Sequence, residues 1–130
     1  MFKSAKAFSG FSVDNLDTAR EFYGKTLGLE IRDNATMGLM TLRLGTGAEI
    51  IVYPKGKAHT PATYTALNFP VQDIDAAVDQ LRSRGVVMQR YEGFNQDAKG
   101  IVRAGEKNPG PSIAWFTDPA GNILSVIEQR

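Results

Sequence analysis

Hydrophobic and polar residues follow nearly the same pattern in two parts of the chain. The stretch 11–19, FSVDNLDTA, recurs at 69–77 as FPVQDIDAA, at a constant offset (71 − 13 = 58 for the two valines). Each copy opens with period-2 alternation and then changes to apolar residues at helical spacing. The pattern therefore predicts a strand that runs into an amphipathic helix, twice.

Polar residues mark where these two helices begin and end. Asn15 and Asp73 stand at corresponding N-cap positions, where a side-chain oxygen can accept from a free amide of the first turn. Gly28 and Gly85 follow the apolar stretches, and glycine adopts the left-handed conformation of a helix end without a steric penalty. We expect one helix to end just before Gly28 and the other just before Gly85.

Short apolar stretches after each helix predict further strands. They are 29–32, 37–44 and 48–53 in the first copy, and 86–91, 113–117 and 123–128 in the second, which also has a short piece near 101–103. The order βαβββ therefore occurs twice and predicts an α+β domain of two tandem modules, residues 1–58 and 59–130. The stretch 92–111, rich in glycine, proline and charge, is interpreted as an extra loop of the second module.

Composition excludes several classes of protein. A length of 130 residues suits one domain, and the absence of cysteine excludes disulfides and thiolate metal sites. A net charge of +1 without a basic stripe argues against nucleic acid as a partner. No apolar stretch is long enough for a membrane helix or a secretion signal, so we expect a cytoplasmic protein without a membrane partner.

Two stretches resemble a known family. VDNLDTAREFYGKTLG, residues 13–28, looks like the first-module signature of the glyoxalase/bleomycin-resistance/dioxygenase family (the vicinal oxygen chelate superfamily), and FTDPAGNILS, residues 116–125, is similar to its closing hairpin. The resemblance covers essentially the whole chain. It implies a U-shaped mixed sheet around a cleft with the helices outside, a homodimer, and an activity drawn from lyases, epimerases, dioxygenases and drug-binding proteins.

The resemblance also implies where a metal would bind. Carried over by motif spacing, the four cleft-facing ligand positions of the family's metal-using members fall on Phe8, Ile51, Ala66 and Ser125. Divalent ions need imidazole or carboxylate donors, which none of these side chains supplies. Glu49, two residues from Ile51 on the same strand face, would be a single carboxylate. We therefore predict a member without the metal ligands, and no cofactor.

Trp115 is the most informative candidate for ligand binding. Strand alternation puts Ile113, Trp115 and Thr117 on one face, and the resemblance implies that this face lines the cleft. The indole either offers a flat stacking surface to a ligand or fills the cleft as core. The other positions expected to line a mostly apolar small-molecule site are Phe8, Ile51, Tyr53, Ala66, Asn68 and Ser125.

Two loops remain open to interpretation. The stretch 91–100 with Arg103 is either a lid that contributes Tyr91, Phe94 and an anion-pairing Arg103, or a solvated loop. His59, the only histidine, lies in the connection between modules and is either a capping loop residue or a catalytic base.

Two functions are compatible with these residues. The first is metal-independent binding of a small, largely apolar or aromatic molecule, for resistance or sequestration. The alternative is a glyoxalase- or dioxygenase-like enzyme (a lyase, isomerase or oxygenase), which would need metal ligands elsewhere or acid/base chemistry from His59, Tyr91, Glu92 or Arg103. The absent metal ligands favour binding.

Overall fold

The first copy of the repeat forms a mixed sheet with one helix packed on it. In the computed structural model, which describes residues 1–129, the chain divides into two units, of which Met1–Thr60 is the first. Its elements are β1 (Ser9–Val13), α1 (Leu16–Glu21), a π-helical segment (Phe22–Thr26), β2 (Glu30–Asn34), β3 (Leu39–Arg43) and β4 (Glu49–Pro54). The strand order is β1-β4-β3-β2, with β1 parallel to β4 and the other pairs antiparallel.

The predicted first helix begins at its expected N-cap and ends just before Gly28 as expected, but it is not α-helical throughout. The Asn15 side chain accepts from the Thr18 amide at 3.0 Å, as an N-cap should. After Glu21, however, the helix widens into a π turn, in which the Leu27 amide donates to the Phe22 carbonyl at 2.9 Å. The consecutive residues Phe22 and Tyr23 are both buried there, with their rings edge to face at 5.2 Å.

The second unit begins at Pro61 and repeats the arrangement with fewer regular strands. It contains β5 (Thr65–Val71), α2 (Ile74–Ser83), β6 (Ile113–Thr117) and β7 (Ile123–Glu128). The strand order is β5-β7-β6, with β5 parallel to β7 and β6 antiparallel to it. The boundaries predicted for the last two strands are confirmed, and the Asp73 side chain caps α2 by accepting from the Ala76 amide at 3.1 Å.

The strands predicted at 86–91 and 101–103 are wrong as regular strands. Each is reduced to an isolated bridge on β6, Met88 opposite Phe116 and Val102 opposite Ile113. Both segments use the same edge of a five-residue strand, so neither can pair along its whole length. The fold class is nevertheless confirmed: an α+β protein whose two units each place a helix after the first strand of a mixed sheet.

The parallel strand pairs show which residues of the two copies correspond. Gly10 lies opposite Ile51 in the first unit, and Asn68 lies opposite Ser125 in the second. Gly10 and Asn68 are related by the offset of the repeat, and Ile51 therefore corresponds to Ser125. Within residues 1–129 no helix is both long and apolar enough to cross a membrane.

Candidate functional site

A row of three side chains crosses the sheet of the second unit. In the strand register Trp115 of β6 lies opposite Ser125 of β7, which in turn lies opposite Asn68 of β5. Directly opposed residues project from the same face of a sheet. The other face of β6 carries Ala114 and Phe116, both buried, as the predicted alternation required. We call the first surface the Trp115 face; its residues on β6 and β7 are Ile113, Trp115, Thr117, Ile123, Ser125 and Ile127.

A polar pair occupies the middle of the Trp115 face. The Ser125 hydroxyl donates to the Asn68 side-chain carbonyl oxygen with 2.6 Å between the oxygens. Ser125 is fully buried, whereas Asn68 is exposed. A buried hydroxyl needs a partner, and Asn68 supplies it while keeping its own amide group at the surface.

Two aromatic side chains from the loop after Met88 pack on Trp115. The Tyr91 ring meets the indole edge to face at 5.7 Å between centroids, and the Phe94 ring lies tilted at 5.0 Å. Burial raises the pKa of the Tyr91 hydroxyl. Phe94 still exposes 52% of its surface. The structure thus brings the two aromatic residues predicted for the loop into contact with Trp115, one edge to face and the other tilted.

A glutamine side chain holds this loop in place. The Tyr91 amide donates to the Gln96 side-chain oxygen at 2.8 Å. The side-chain nitrogen of Gln96 donates to the Gln89 carbonyl at 2.9 Å and to the Gly100 carbonyl at 2.8 Å. Sequence reasoning missed Gln96, because an isolated glutamine in a polar loop carries no pattern that distinguishes it from a solvated one.

Arg103 is bound to carboxylates of its own unit. It makes a bidentate pair with Asp75 of α2, both contacts at 2.8 Å, and its Nε donates to Asp97 at 2.9 Å. Hydrogen bonds from Arg103 and then Lys99 hold the pKa of Asp75 well below its usual range, and Asp75 followed by Asp97 raises the pKa of Arg103. The positive charge that was predicted to pair with an anionic ligand is therefore already matched.

A cavity of about 660 Å³ lies within the predicted extra loop. Its lining combines apolar Phe94, Ile101 and Val102 with polar Asp97, Arg103 and Asn108. Phe94 therefore borders both this cavity and the indole of Trp115. The sequence indicated a loop of unusual length here, but not that it borders a half-open cavity.

The predicted site residues of the first unit lie on or beside the sheet face opposite its core. Ile51 and Tyr53 of β4 are half-buried and exposed, respectively, whereas their neighbours Ile50 and Val52 are buried. Phe8 precedes β1 and exposes 76% of its surface. In the second unit, Ala66 lies at an irregularity of the β5–β7 register and is half-buried.

The side chains at the four positions that the resemblance marks for metal ligands do not suit a divalent ion. Phe8, Ile51 and Ala66 have no donor atoms, and the Ser125 hydroxyl is committed to Asn68. Among residues 1–129, no three or more His, Asp or Glu side chains are grouped so that they could hold a metal. In the strand register Ile51 corresponds to Ser125 in the repeat.

His59 contacts a serine that the sequence gave no reason to connect with it. Its Nδ1 lies 2.8 Å from the Ser12 hydroxyl oxygen, and both residues are half-buried. The contact joins the last residues of the first unit to β1.

These features define a class of protein: two copies of a βαβββ unit, each with its first and last strands parallel and adjacent. The chain belongs to the Glyoxalase/Bleomycin resistance protein/Dioxygenase superfamily, whose sequence model matches residues 8–126.

Three solved structures show the same fold. The chain is 21% identical to a protein from Bacillus anthracis described as of the glyoxalase family, over 100% of both chains (TM-score 0.69). It is 20% identical to TnmS3, an antibiotic-binding protein from Streptomyces sp. CB03234, over 98% of both chains (TM-score 0.69). It is 15% identical to the fosfomycin resistance protein FosX from Listeria monocytogenes, over 98% of this chain and 94% of that one (TM-score 0.68). None of the curated protein sequences matches the chain.

Proposed function

We propose that this protein binds a small, largely apolar or aromatic molecule on the Trp115 face, without a metal ion, as a sequestration or resistance protein. The observation that carries the proposal is the cluster of Trp115, Tyr91 and Phe94 beside the Asn68–Ser125 pair. Aromatic surface with a few placed hydrogen-bonding groups is the usual composition of a small-molecule site.

The second support is chemical. The resemblance implies that Ser125 takes a position at which the family's metal-using members carry a ligand, and its hydroxyl donates to Asn68. A site without imidazole or carboxylate donors cannot activate a metal-bound water or polarise a substrate through a metal. Among the relatives, TnmS3 is described as an antibiotic-binding protein, which is the kind of role proposed here.

The proposal is tested by a screen of small aromatic molecules that monitors the fluorescence of Trp115, the only tryptophan. Affinity is then measured by equilibrium dialysis for the wild type, Phe94→Ala and Tyr91→Ala. We expect each variant to bind the selected ligand several-fold more weakly. Phe2→Ala and Tyr64→Ala are matched controls, because both side chains are exposed and contact no ring of this cluster.

Two results would contradict the proposal. Unchanged ligand affinity in both Phe94→Ala and Tyr91→Ala would show that the aromatic cluster does not contribute to binding. Metal analysis of tag-free protein purified without chelator should give near-zero zinc, iron, manganese or nickel per chain. A content close to one ion per chain would refute the metal-independent part and favour an enzyme.

A further inference from the structure

We propose that the ligand is an uncharged, planar aromatic molecule with a hydrogen-bond-accepting oxygen, its ring against Trp115 and its oxygen on the side-chain amide nitrogen of Asn68. This inference rests on the proposed function and specifies the chemistry of the ligand. It follows from how the Asn68 side chain is oriented, from the absence of charge on the face, and from the spacing of the strands.

Ser125 orients the Asn68 side chain. An asparagine presents an acceptor oxygen on one side of its amide and a donor nitrogen on the other. Because the buried Ser125 hydroxyl donates to the oxygen at 2.6 Å, the nitrogen is the group left for another partner. Asn68 is exposed, so this donor is accessible to a ligand acceptor such as a ketone, ester or amide oxygen.

The Trp115 face carries no charged side chain. Its residues on β6 and β7 are Ile113, Trp115, Thr117, Ile123, Ser125 and Ile127. Two cations of the stretch 92–111 are paired: Lys99 with Asp75 and Asp79, and Arg103 with Asp75 and Asp97. A charged ligand would lose its hydration here without gaining a counter-ion, so the face favours an uncharged one.

The spacing of the strands sets the shape of the ligand. Neighbouring strands lie about 4.8 Å apart, so the path from Trp115 over Ser125 to Asn68 covers roughly 10 Å. Two fused rings with a short carbonyl substituent match this path, with the rings over the indole end and the oxygen at Asn68. Ser125 lies between the two ends and is fully buried.

The test compares naphthalenes that differ only in one substituent at the same ring position. Binding of acetylnaphthalene, ethylnaphthalene, naphthylamine and naphthoate to the intact protein is measured by equilibrium dialysis. We expect acetylnaphthalene to bind roughly two- to tenfold more tightly than ethylnaphthalene, the ratio that one neutral hydrogen bond supplies. Naphthylamine, which offers a donor, and naphthoate, which is charged, should both bind more weakly than acetylnaphthalene.

Variants test whether Asn68 causes the preference for acetylnaphthalene. Asn68→Asp keeps the acceptor for Ser125 and removes the donor, so the preference for acetylnaphthalene over ethylnaphthalene should disappear. Ser125→Ala removes the hydrogen bond that orients the Asn68 side chain, so it should reduce the preference for acetylnaphthalene over ethylnaphthalene. Asn34→Asp is the control for the added charge, because Asn34 uses only its side-chain oxygen, which accepts from the Met37 amide at 3.1 Å.

Each contrary result has its own meaning. Equal binding of acetylnaphthalene and ethylnaphthalene would overturn the role of Asn68, while binding that still depends on Phe94 and Tyr91 would leave the proposed function in place. Tighter binding of naphthylamine would show the Asn68 amide reversed, and tighter binding of naphthoate would refute the uncharged ligand. If no naphthalene binds although another ligand does so through Phe94 and Tyr91, the ligand class is wrong.

Discussion

The two units share a strand framework and differ in what stands at corresponding positions on it. Gly10 and Ile51 face each other across the parallel pair of the first unit, and Asn68 and Ser125 do so in the second. A Cβ at Gly10 would lie 3.1 Å from the Ile51 carbonyl oxygen, so a side chain is poorly accommodated there. The second unit carries a hydrogen-bonded polar pair at the same place.

The units also differ in what lies between the helix and the last two strands. In the first, the regular strand β2 follows the helix and pairs with β3. In the second, the long stretch between α2 and β6 folds back onto Trp115. The comparison teaches that the duplicated framework supplies the strand register, while the candidate site comes from residues added to or changed on one copy.

The largest expected effect compares how much a phenylalanine side chain contributes to stability at corresponding positions of the two units. Phe11 is buried and its ring lies 5.8 Å from that of Tyr23, whereas its counterpart Phe69 is only half-buried. Phe11→Ala should lower the free energy of unfolding by about 3–4 kcal/mol, and Phe69→Ala by about half as much. Urea denaturation measures the free energy of unfolding of both variants. If an alanine variant does not fold, Phe11→Leu and Phe69→Leu are compared instead. Equal losses of unfolding free energy would mean that Phe11 and Phe69 contribute equally to the stability of their units.

The next largest effect is expected when the turn between β6 and β7 is compared with the turn between β3 and β4. Asp118 is buried, and its carboxylate accepts from the amides of Ala120 and Asn122 and from the Asn122 side chain, at 2.9–3.0 Å. Asp118→Ala leaves these donors without their acceptor and should cost about 2–3 kcal/mol. Thr46→Ala removes one 3.2 Å acceptor for the Ala48 amide at an exposed turn and should cost under about 0.5 kcal/mol. Thermal denaturation of both variants shows whether the turn between β6 and β7 depends on the Asp118 side chain more than the turn between β3 and β4 depends on Thr46.

Local patterns predicted the parts of the fold that depend on local chemistry. Strands β6 and β7 have the predicted bounds. In β6 the period-2 alternation between a core and a second face is visible within five residues. The caps at Asn15 and Asp73 are likewise local. The π turn after Glu21 was missed, because it satisfies the burial of both Phe22 and Tyr23, which only the packed structure reveals.

The candidate site was predictable only in part. Alternation placed Trp115 on the face opposite Phe116, and the loop was expected to carry Tyr91 and Phe94. The partners of Gln96 and Arg103 could not be predicted, because they depend on contacts between segments that no periodicity links. The hydrogen bond from Ser125 to Asn68 depends in the same way on the register of two distant strands.

A smaller effect tests the loop that has no counterpart in the first unit. Gln96→Ala removes three hydrogen bonds that hold the segment carrying Tyr91 and Phe94. Water replaces part of them, so we expect a loss of about 1 kcal/mol in unfolding free energy. Acrylamide should quench Trp115 fluorescence more strongly because the aromatic cover loosens. Gln80→Ala on the exposed side of α2 is the control, and quenching equal to wild type in Gln96→Ala would show that the rings hold the loop unaided.

The smallest effect is the response of the second unit to acid. Hydrogen bonds from Arg103 and then Lys99 lower the pKa of folded Asp75, and Asp79 and Asp97 share the same two cations. A carboxyl with a depressed folded pKa contributes stability above its unfolded pKa of about 4, and this contribution is lost as the pH falls toward the folded value. All the partners are substantially exposed, so the contribution is modest and weakened by salt.

Arg103→Gln measures that contribution. The variant should be less stable than wild type at pH 7, and the difference between the two denaturation midpoints should shrink steadily between pH 4 and acid denaturation. If the difference for Arg103→Gln stays constant with pH, the acid response does not come from the ion pairs of Arg103 with Asp75 and Asp97.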